Sequence, residues 1–61
     1  MSIKITIKMD NAAFEEEAGT EVSRILRSLS GEYDGRDLMP GESRRLLDIN
    51  GNHVGEAKVT R

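Results

Sequence analysis

The sequence contains no cysteine and no tryptophan, and Phe14 and Tyr33 are its only aromatic residues. Without cysteine the chain forms neither disulfide bonds nor thiolate metal sites, which favours a reducing, cytoplasmic compartment. It also lacks a charged leader followed by a long apolar stretch, and any run near the roughly 20 apolar residues of a membrane span. We therefore expect a cytoplasmic protein without membrane contact.

The chain has only 61 residues. A chain of this length buries a small fraction of its surface and is marginally stable, so it has room for a single domain, residues 1–61. Self-association into a homodimer is a reasonable way for such a domain to bury more surface.

The formal net charge is only −2, but the charged residues are unevenly distributed along the chain. Two acidic segments occur, and their acidic residues are Asp10, Glu15, Glu16, Glu17 and Glu21 in the first and Glu32, Asp34, Asp37 and Glu42 in the second. A nucleic-acid-binding face requires clustered Lys and Arg, so we expect no direct binding to nucleic acid. Acidic clusters favour association with basic protein surfaces, although they also serve simply to keep a small protein in solution.

An alternating pattern at the start predicts a strand from Ile3 to Met9. Isoleucine or methionine at every odd position and Lys or Thr at every even position give the strand one apolar face and one polar face, and we expect the apolar face to be buried. Ala12–Phe14 then predicts a short turn that brings Phe14 into the core.

A helix is predicted by four apolar residues with the spacing i, i+3, i+4 and i+7, namely Val22, Ile25, Leu26 and Leu29. Thr20 is the expected N-cap, because its hydroxyl can accept a hydrogen bond from a free amide of the first turn. Two ends are open. The helix stops at Ser30 before Gly31, or it continues to Asp34 with Gly35 as the terminating residue.

Asn50-Gly51 is typical of a hairpin turn, because both residues tolerate positive φ. A two-residue turn would pair Leu47 with Val54, whereas a three-residue turn would pair Leu46 with Val54. These registers place opposite leucines inside, and the sequence leaves the choice open. The hairpin strands are predicted to be Leu46 to Asp48 and Val54 to Val59.

Together the patterns predict an α+β domain with the order strand, helix, strand, strand. We expect a three-stranded sheet with antiparallel pairing and one helix covering its apolar face.

No pattern indicates catalysis or a bound cofactor. His53 is the only histidine and has no nucleophile placed to pair with it, so a solvent-facing strand residue is the better interpretation. Zinc would need Cys and His ligands, and Asp48 to Glu56 does not have the spacing of a calcium loop. Glu15 to Glu17 would need a cleft to serve as acid and base, and a domain this small has little room for one. We expect no catalytic residues, no metal and no cofactor.

Three segments carry a resemblance, namely Ile5 to Phe14, Gly19 to Arg27 and Leu47 to Gly55. They resemble short proteins of bacteriophages and other mobile elements, with the DNAAF and DINGN-VG motifs. The central loop, Gly35 to Ser43, resembles them least. In size, charge and setting the chain is also similar to the small acidic anti-CRISPR proteins, which implies a bacterial host cytoplasm and a Cas protein complex as the kind of partner.

The leading hypothesis is therefore a non-enzymatic phage or mobile-element protein that inhibits a host defence complex by binding its basic, nucleic-acid-handling face. The alternative is a phage accessory or regulatory module with an unrelated partner, bound through the open edge of the sheet. For the first hypothesis the predicted contact residues are Glu15, Glu16, Glu17, Glu21, Glu32, Asp34 and Asp37.

Overall fold

The computed structural model describes residues 1–61 and contains one helix and three strands. In chain order the elements are β1 (Ser2–Ile7), a 3₁₀ turn (Ala12–Phe14), α1 (Ala18–Tyr33), β2 (Ser43–Leu47) and β3 (His53–Thr60). The strands form one antiparallel sheet in the order β1-β3-β2, which confirms the predicted α+β fold. α1 is neither long nor apolar enough to cross a membrane.

The last strand of the chain, β3, is the central strand of the sheet. β1 pairs with it in a continuous register from Ser2 opposite Thr60 to Ile7 opposite Gly55. The two backbones approach so closely at this last pair that a Cβ on Gly55 would overlap the carbonyl oxygen of Thr6 and lie 2.8 Å from its carbonyl carbon. Glycine is thus required opposite the last residue of β1.

The β2–β3 hairpin has neither of the two predicted registers. Leu46 lies opposite Gly55 and Leu47 lies opposite His53, so Val54 is an extra residue that bulges from β3. The bulge turns Val54 toward the core, on the same side as Leu46, and both are 4% exposed, whereas Leu47 is 44% exposed. The expected positive φ is confirmed at Gly51, where φ is 86°.

α1 starts earlier than predicted and ends at the later of the two predicted positions. Its N-cap is Glu17 rather than Thr20, which lies within the first turn and donates its amide to the Glu17 carbonyl at 2.8 Å. At the other end Asp34 leaves the helical conformation and Gly35 follows with a φ of 77°. Gly31 therefore lies inside the helix.

The core lies between α1, the 3₁₀ turn and the β2–β3 side of the sheet. Its members are Phe14, Ile25, Leu29, Leu46, Val54 and Ala57. Val22 packs against this cluster and is partly buried, but Leu26 is 41% exposed, so its assignment to the buried stripe is wrong.

The apolar face of β1 is left largely uncovered. α1 lies against β2 and the 3₁₀ turn rather than over β1. As a result Ile3, Ile5 and Met9 are 44%, 41% and 54% exposed, and only Ile7 is packed against the core. The prediction of a buried strand face is wrong for these three residues.

Candidate partner-binding surface

Three adjacent glutamates, Glu15, Glu16 and Glu17, form an exposed group that we call the acidic corner. Glu15 is the C-cap of the 3₁₀ turn, and Glu17 is the N-cap of α1. None of the three forms an ion pair, because the two ion pairs of the chain are Arg24–Glu21 and Arg44–Glu32. The corner therefore presents uncompensated negative charge to solvent.

The backbone of the acidic corner is held in a defined conformation. Glu17 is the only non-glycine residue with positive φ, at φ 49° and ψ 54°, a left-handed conformation that costs roughly 1–2 kcal/mol for an L-residue. Just before the corner, Phe14 is 5% exposed and anchors the 3₁₀ turn in the core. Strained backbone persists only where the surrounding structure fixes it, and it concentrates at functional sites.

Asn11 joins the segment that leads into the acidic corner to the β2–β3 hairpin. Its side-chain carbonyl accepts a hydrogen bond from the Ala13 amide at 3.2 Å, which caps the 3₁₀ turn. Its side-chain amide donates to Asp48 Oδ2 at 2.7 Å. The segment that carries the glutamates is thus anchored at its start by two hydrogen bonds and at its middle by Phe14.

Asp48 organises the hairpin turn from a buried position, with 4% exposure. Its Oδ1 accepts hydrogen bonds from the amides of Asn50 and Asn52 at 2.9 and 2.8 Å, while its Oδ2 accepts from the side chains of Asn11 and Asn52. Burial raises the pKa of the Asp48 carboxyl, but the hydrogen bonds from Asn52, Asn50 and Asn11 outweigh it and lower the pKa overall.

Glu21, which was predicted among the contact residues, does not belong to the exposed acidic surface. It is 7% exposed, and its carboxylate accepts hydrogen bonds from Arg24 Nε at 2.8 Å, from Arg24 Nη2 at 3.1 Å and from the Ile49 amide at 2.8 Å. The hydrogen bond from Arg24 is the main cause that lowers the pKa of Glu21. This carboxylate joins α1 to the hairpin instead of facing a partner.

The second acidic segment lies at the opposite end of α1. Glu32, Asp34 and Asp37 are exposed, but Glu32 Oε1 is 3.8 Å from Arg44 Nη1, whose guanidinium also lies 5.8 Å from the centre of the Tyr33 ring. At 1.5 Å per residue, the length of α1 separates the two acidic groups by roughly 25 Å. They do not form the adjoining rims that a single acidic face would need.

His53 is an exposed strand residue, as predicted, and its Nε2 lies 2.8 Å from the Gly55 carbonyl oxygen. No group of three or more His, Asp or Glu side chains is arranged to hold a metal ion. Every buried side-chain nitrogen and oxygen has a hydrogen-bond partner.

Sequence reasoning missed two features of this surface. The first is a pair of buried carboxylates with distant partners: Asp48 accepts a hydrogen bond from Asn11, and Glu21 accepts one from the Ile49 amide. Only the Asp48-Ile49-Asn50 order gave a local signal, since Asp favours bonding to the amide two residues on. The second is the exposed apolar face of β1, whose alternating pattern is the same whether the face is covered or open.

The sequence matches no protein-family model, and it matches neither a curated protein nor a solved structure.

Proposed function

We propose that the protein is a non-enzymatic binding protein that docks the acidic corner onto a basic surface of a partner protein. One observation carries the proposal: three adjacent glutamates are exposed on an anchored backbone, and no Lys or Arg of the chain pairs with them. Like charges held side by side repel one another, so a cationic partner would relieve this repulsion and gain charge-assisted hydrogen bonds.

In the more specific form of this proposal, the protein is a phage or mobile-element inhibitor, and its partner is a bacterial defence complex such as a Cas protein complex. The resemblance of the sequence to small phage proteins and the acidic balance of the chain support this form. Inhibition would follow from competition, because the acidic corner and the phosphates of a nucleic acid would occupy the same basic groove.

The second acidic segment has a smaller part in this proposal. Glu32 already has Arg44 as a partner, and Asp34 and Asp37 lie roughly 25 Å from the corner along α1. Glu21 is removed from the predicted contact set because it is buried and bonded to Arg24. The contact residues we propose are Glu15, Glu16 and Glu17.

The experiment measures DNA binding by purified candidate defence complexes in the presence of the protein. We expect stoichiometric protein to abolish DNA binding, and we expect the triple variant Glu15→Gln, Glu16→Gln, Glu17→Gln to restore it. Loss of electrostatic steering should slow association of the variant by about tenfold, with a weaker dependence on salt than the parent shows.

The matched control is the triple variant Glu32→Gln, Asp34→Asn, Asp37→Asn, which removes the same amount of charge at the far end of α1. We expect it to inhibit like the parent protein. If both triple variants inhibit equally well, the acidic corner is not the contact surface. If only the control loses inhibition, the contact lies at the C-terminal end of α1.

One observation favours the alternative, an accessory or regulatory module with an unrelated partner. β1 is an edge strand with exposed isoleucines, the kind of surface that accepts an added strand. A partner that still binds the Glu15→Gln, Glu16→Gln, Glu17→Gln variant, but no longer binds after a substitution in β1, would support this alternative.

A further inference from the structure

The open edge of β1 presents unpaired backbone groups at alternate residues. Lys8, which continues the register opposite Val54, donates its amide to the Val54 carbonyl at 2.7 Å, so the backbone groups of even-numbered residues face β3. Those of Ile3, Ile5 and Ile7 consequently point away from the sheet. On the other side of β3, the Val59 amide donates to Glu42, which fits the same alternation.

The edge of β1 has one charged side chain, Lys4, but it lacks the other features that protect edge strands from pairing. Its register with β3 is continuous, without a bulge, and it contains no proline. The apolar side chains Ile3 and Ile5 stand beside the free backbone groups and are more than two-fifths exposed. β1 is therefore competent to accept another strand.

The other edge strand, β2, is protected. Its pairing with β3 is interrupted by the bulge after Leu46, and it carries the adjacent charges Arg44 and Arg45. In addition, Arg24 Nη2 donates a hydrogen bond to the outward-facing carbonyl of Leu47 at 3.0 Å. Only one of the two edges of the sheet is left available.

We propose that β1 pairs antiparallel with β1 of a second copy of this chain, about a two-fold axis at Ile5. An antiparallel partner must set outward-facing residues opposite one another, which here means odd-numbered residues opposite odd-numbered ones. In the register centred on Ile5, Ile5 faces Ile5 and Ile3 faces Ile7 of the second copy. All free amides and carbonyls of Ile3, Ile5 and Ile7 are then paired, and two sheets join into one of six strands.

Charge selects this register over its neighbours. A two-fold axis at Lys4 would set two lysines directly opposite each other, and an axis at Thr6 would set Lys4 opposite Lys8 twice. With the axis at Ile5, Lys4 faces Thr6 and Ser2 faces Lys8, so no lysine faces another. Among these registers, only the one centred on Ile5 avoids opposing lysines, and it also pairs the outward-facing backbone groups of Ile3, Ile5 and Ile7.

The isoleucines of the two copies meet on one face. Ile3 and Ile5 lie opposite Val59 and Ala57 of β3, which are buried, so they belong to the face that carries α1. A two-fold axis perpendicular to the sheet keeps the corresponding faces of both copies on the same side. Pairing therefore sets the uncovered isoleucines of the two copies side by side and removes part of their surface from water, and the paired residues do not include the acidic corner.

The test combines sedimentation equilibrium at micromolar to millimolar concentration with amide hydrogen exchange. We expect a dimer whose Ile3, Ile5 and Ile7 amides exchange slowly when concentrated and quickly when dilute. Amides of Lys4 and Thr6 should stay protected at both concentrations. A chain that is monomeric at all concentrations overturns the proposal, and so does a monomer that takes up a strand from a different protein.

Variants locate the interface. Ile5→Lys sets two like charges on the two-fold axis and should give a monomer, whereas Leu47→Lys makes the same change on β2 and should leave the dimer intact, because Leu47 is 44% exposed and lies on the other edge. If the two variants dimerise equally, the interface lies elsewhere.

A second pair of variants tests the register without removing an apolar side chain. Thr6→Glu sets a carboxylate opposite Lys4 of the second copy at two places and should tighten the dimer, while Thr6→Lys sets a like charge there and should weaken it, each by roughly two- to thirtyfold in dissociation constant. Within one copy Thr6 lies opposite Glu56, so the effect on protomer stability has the reverse sign. A dimer that weakens with Glu and tightens with Lys contradicts the Ile5-centred register.

Discussion

Leucine-to-alanine substitutions at Leu29 and Leu26 test how α1 packs on the sheet. The two leucines lie on the same helix, but Leu29 is 3% exposed and Leu26 is 41% exposed. Truncating a buried leucine costs about 2–5 kcal/mol, because the lost apolar burial is combined with a residual cavity. At Leu26 solvent reaches the site, no closed cavity forms and alanine has the higher helix propensity, so we expect about 1 kcal/mol or less.

These magnitudes are large beside the total stability of the domain. A chain of 61 residues has a free energy of unfolding of about 3–9 kcal/mol. Each kcal/mol shifts the melting temperature of a domain this small by roughly 4–8 °C. Leu29→Ala should therefore be largely unfolded or melt far below the parent, while Leu26→Ala should melt within about 8 °C of it.

Thermal unfolding followed by circular dichroism, at one fixed protein concentration, gives both values. The comparison is internal, since both variants remove the same atoms from the same helix. Equal losses at the two positions would refute the packing of α1 described here, and a larger loss at Leu26 would mean that α1 is rotated about its axis.

Three further predictions concern two glycines and the two buried carboxylates. Gly55→Ala should abolish cooperative unfolding, because its Cβ would overlap the carbonyl of Thr6; a normal melting curve would contradict the β1–β3 register. Gly51→Val should lower the melting temperature, since a β-branched residue is strained at a φ of 86°, whereas Gly51→Asn should be tolerated better. The pKa values of Glu21 and Asp48 lie below their ordinary values of 4.5 and 3.8, so their stabilisation is complete above pH 4.5 and is lost as the pH falls through the lowered pKa values; a denaturation midpoint that does not decrease on acidification below pH 4.5 would contradict this.

The elements that depend on local patterns could be predicted from the sequence. The spacing from Val22 to Leu29 predicted α1, and Asn50-Gly51 predicted the hairpin turn with positive φ at Gly51. Both signals act between residues that are close in the chain. The combination of these elements was enough to predict the α+β fold.

Features set by contacts distant in sequence could not be predicted. The hairpin register depends on Asp48. Its carboxylate accepts hydrogen bonds from two amides of the turn and from the side chain of Asn11, which is 37 residues away in the sequence. Glu21 resembles any acidic residue in a solvated segment until the Ile49 amide, 28 residues further on, approaches it. The sequence alone predicts that acidic residues like Glu21 are exposed, because their hydrogen-bond partners are distant in the sequence.

Coverage of the sheet is a question of width. A helix with its side chains is about 10–12 Å across, whereas three strands at about 4.8 Å spacing, with their own side chains, are wider. One helix placed against β2 therefore leaves β1 open. The alternating pattern at Ile3 and Ile5 predicts an apolar face correctly and carries no information on whether anything covers it.

The position of β3 at the centre of the sheet has a kinetic consequence. Ser2 pairs with Thr60, so the central strand joins an edge strand from the opposite end of the chain. Local contacts allow α1 and the β2–β3 hairpin to form early, while β1 must close a loop that includes nearly the whole sequence, a slow step for a small domain. As long as β1 is not paired with β3, both of its edges are free, and a second copy could then either form the edge contact proposed above or exchange β1 with the first copy.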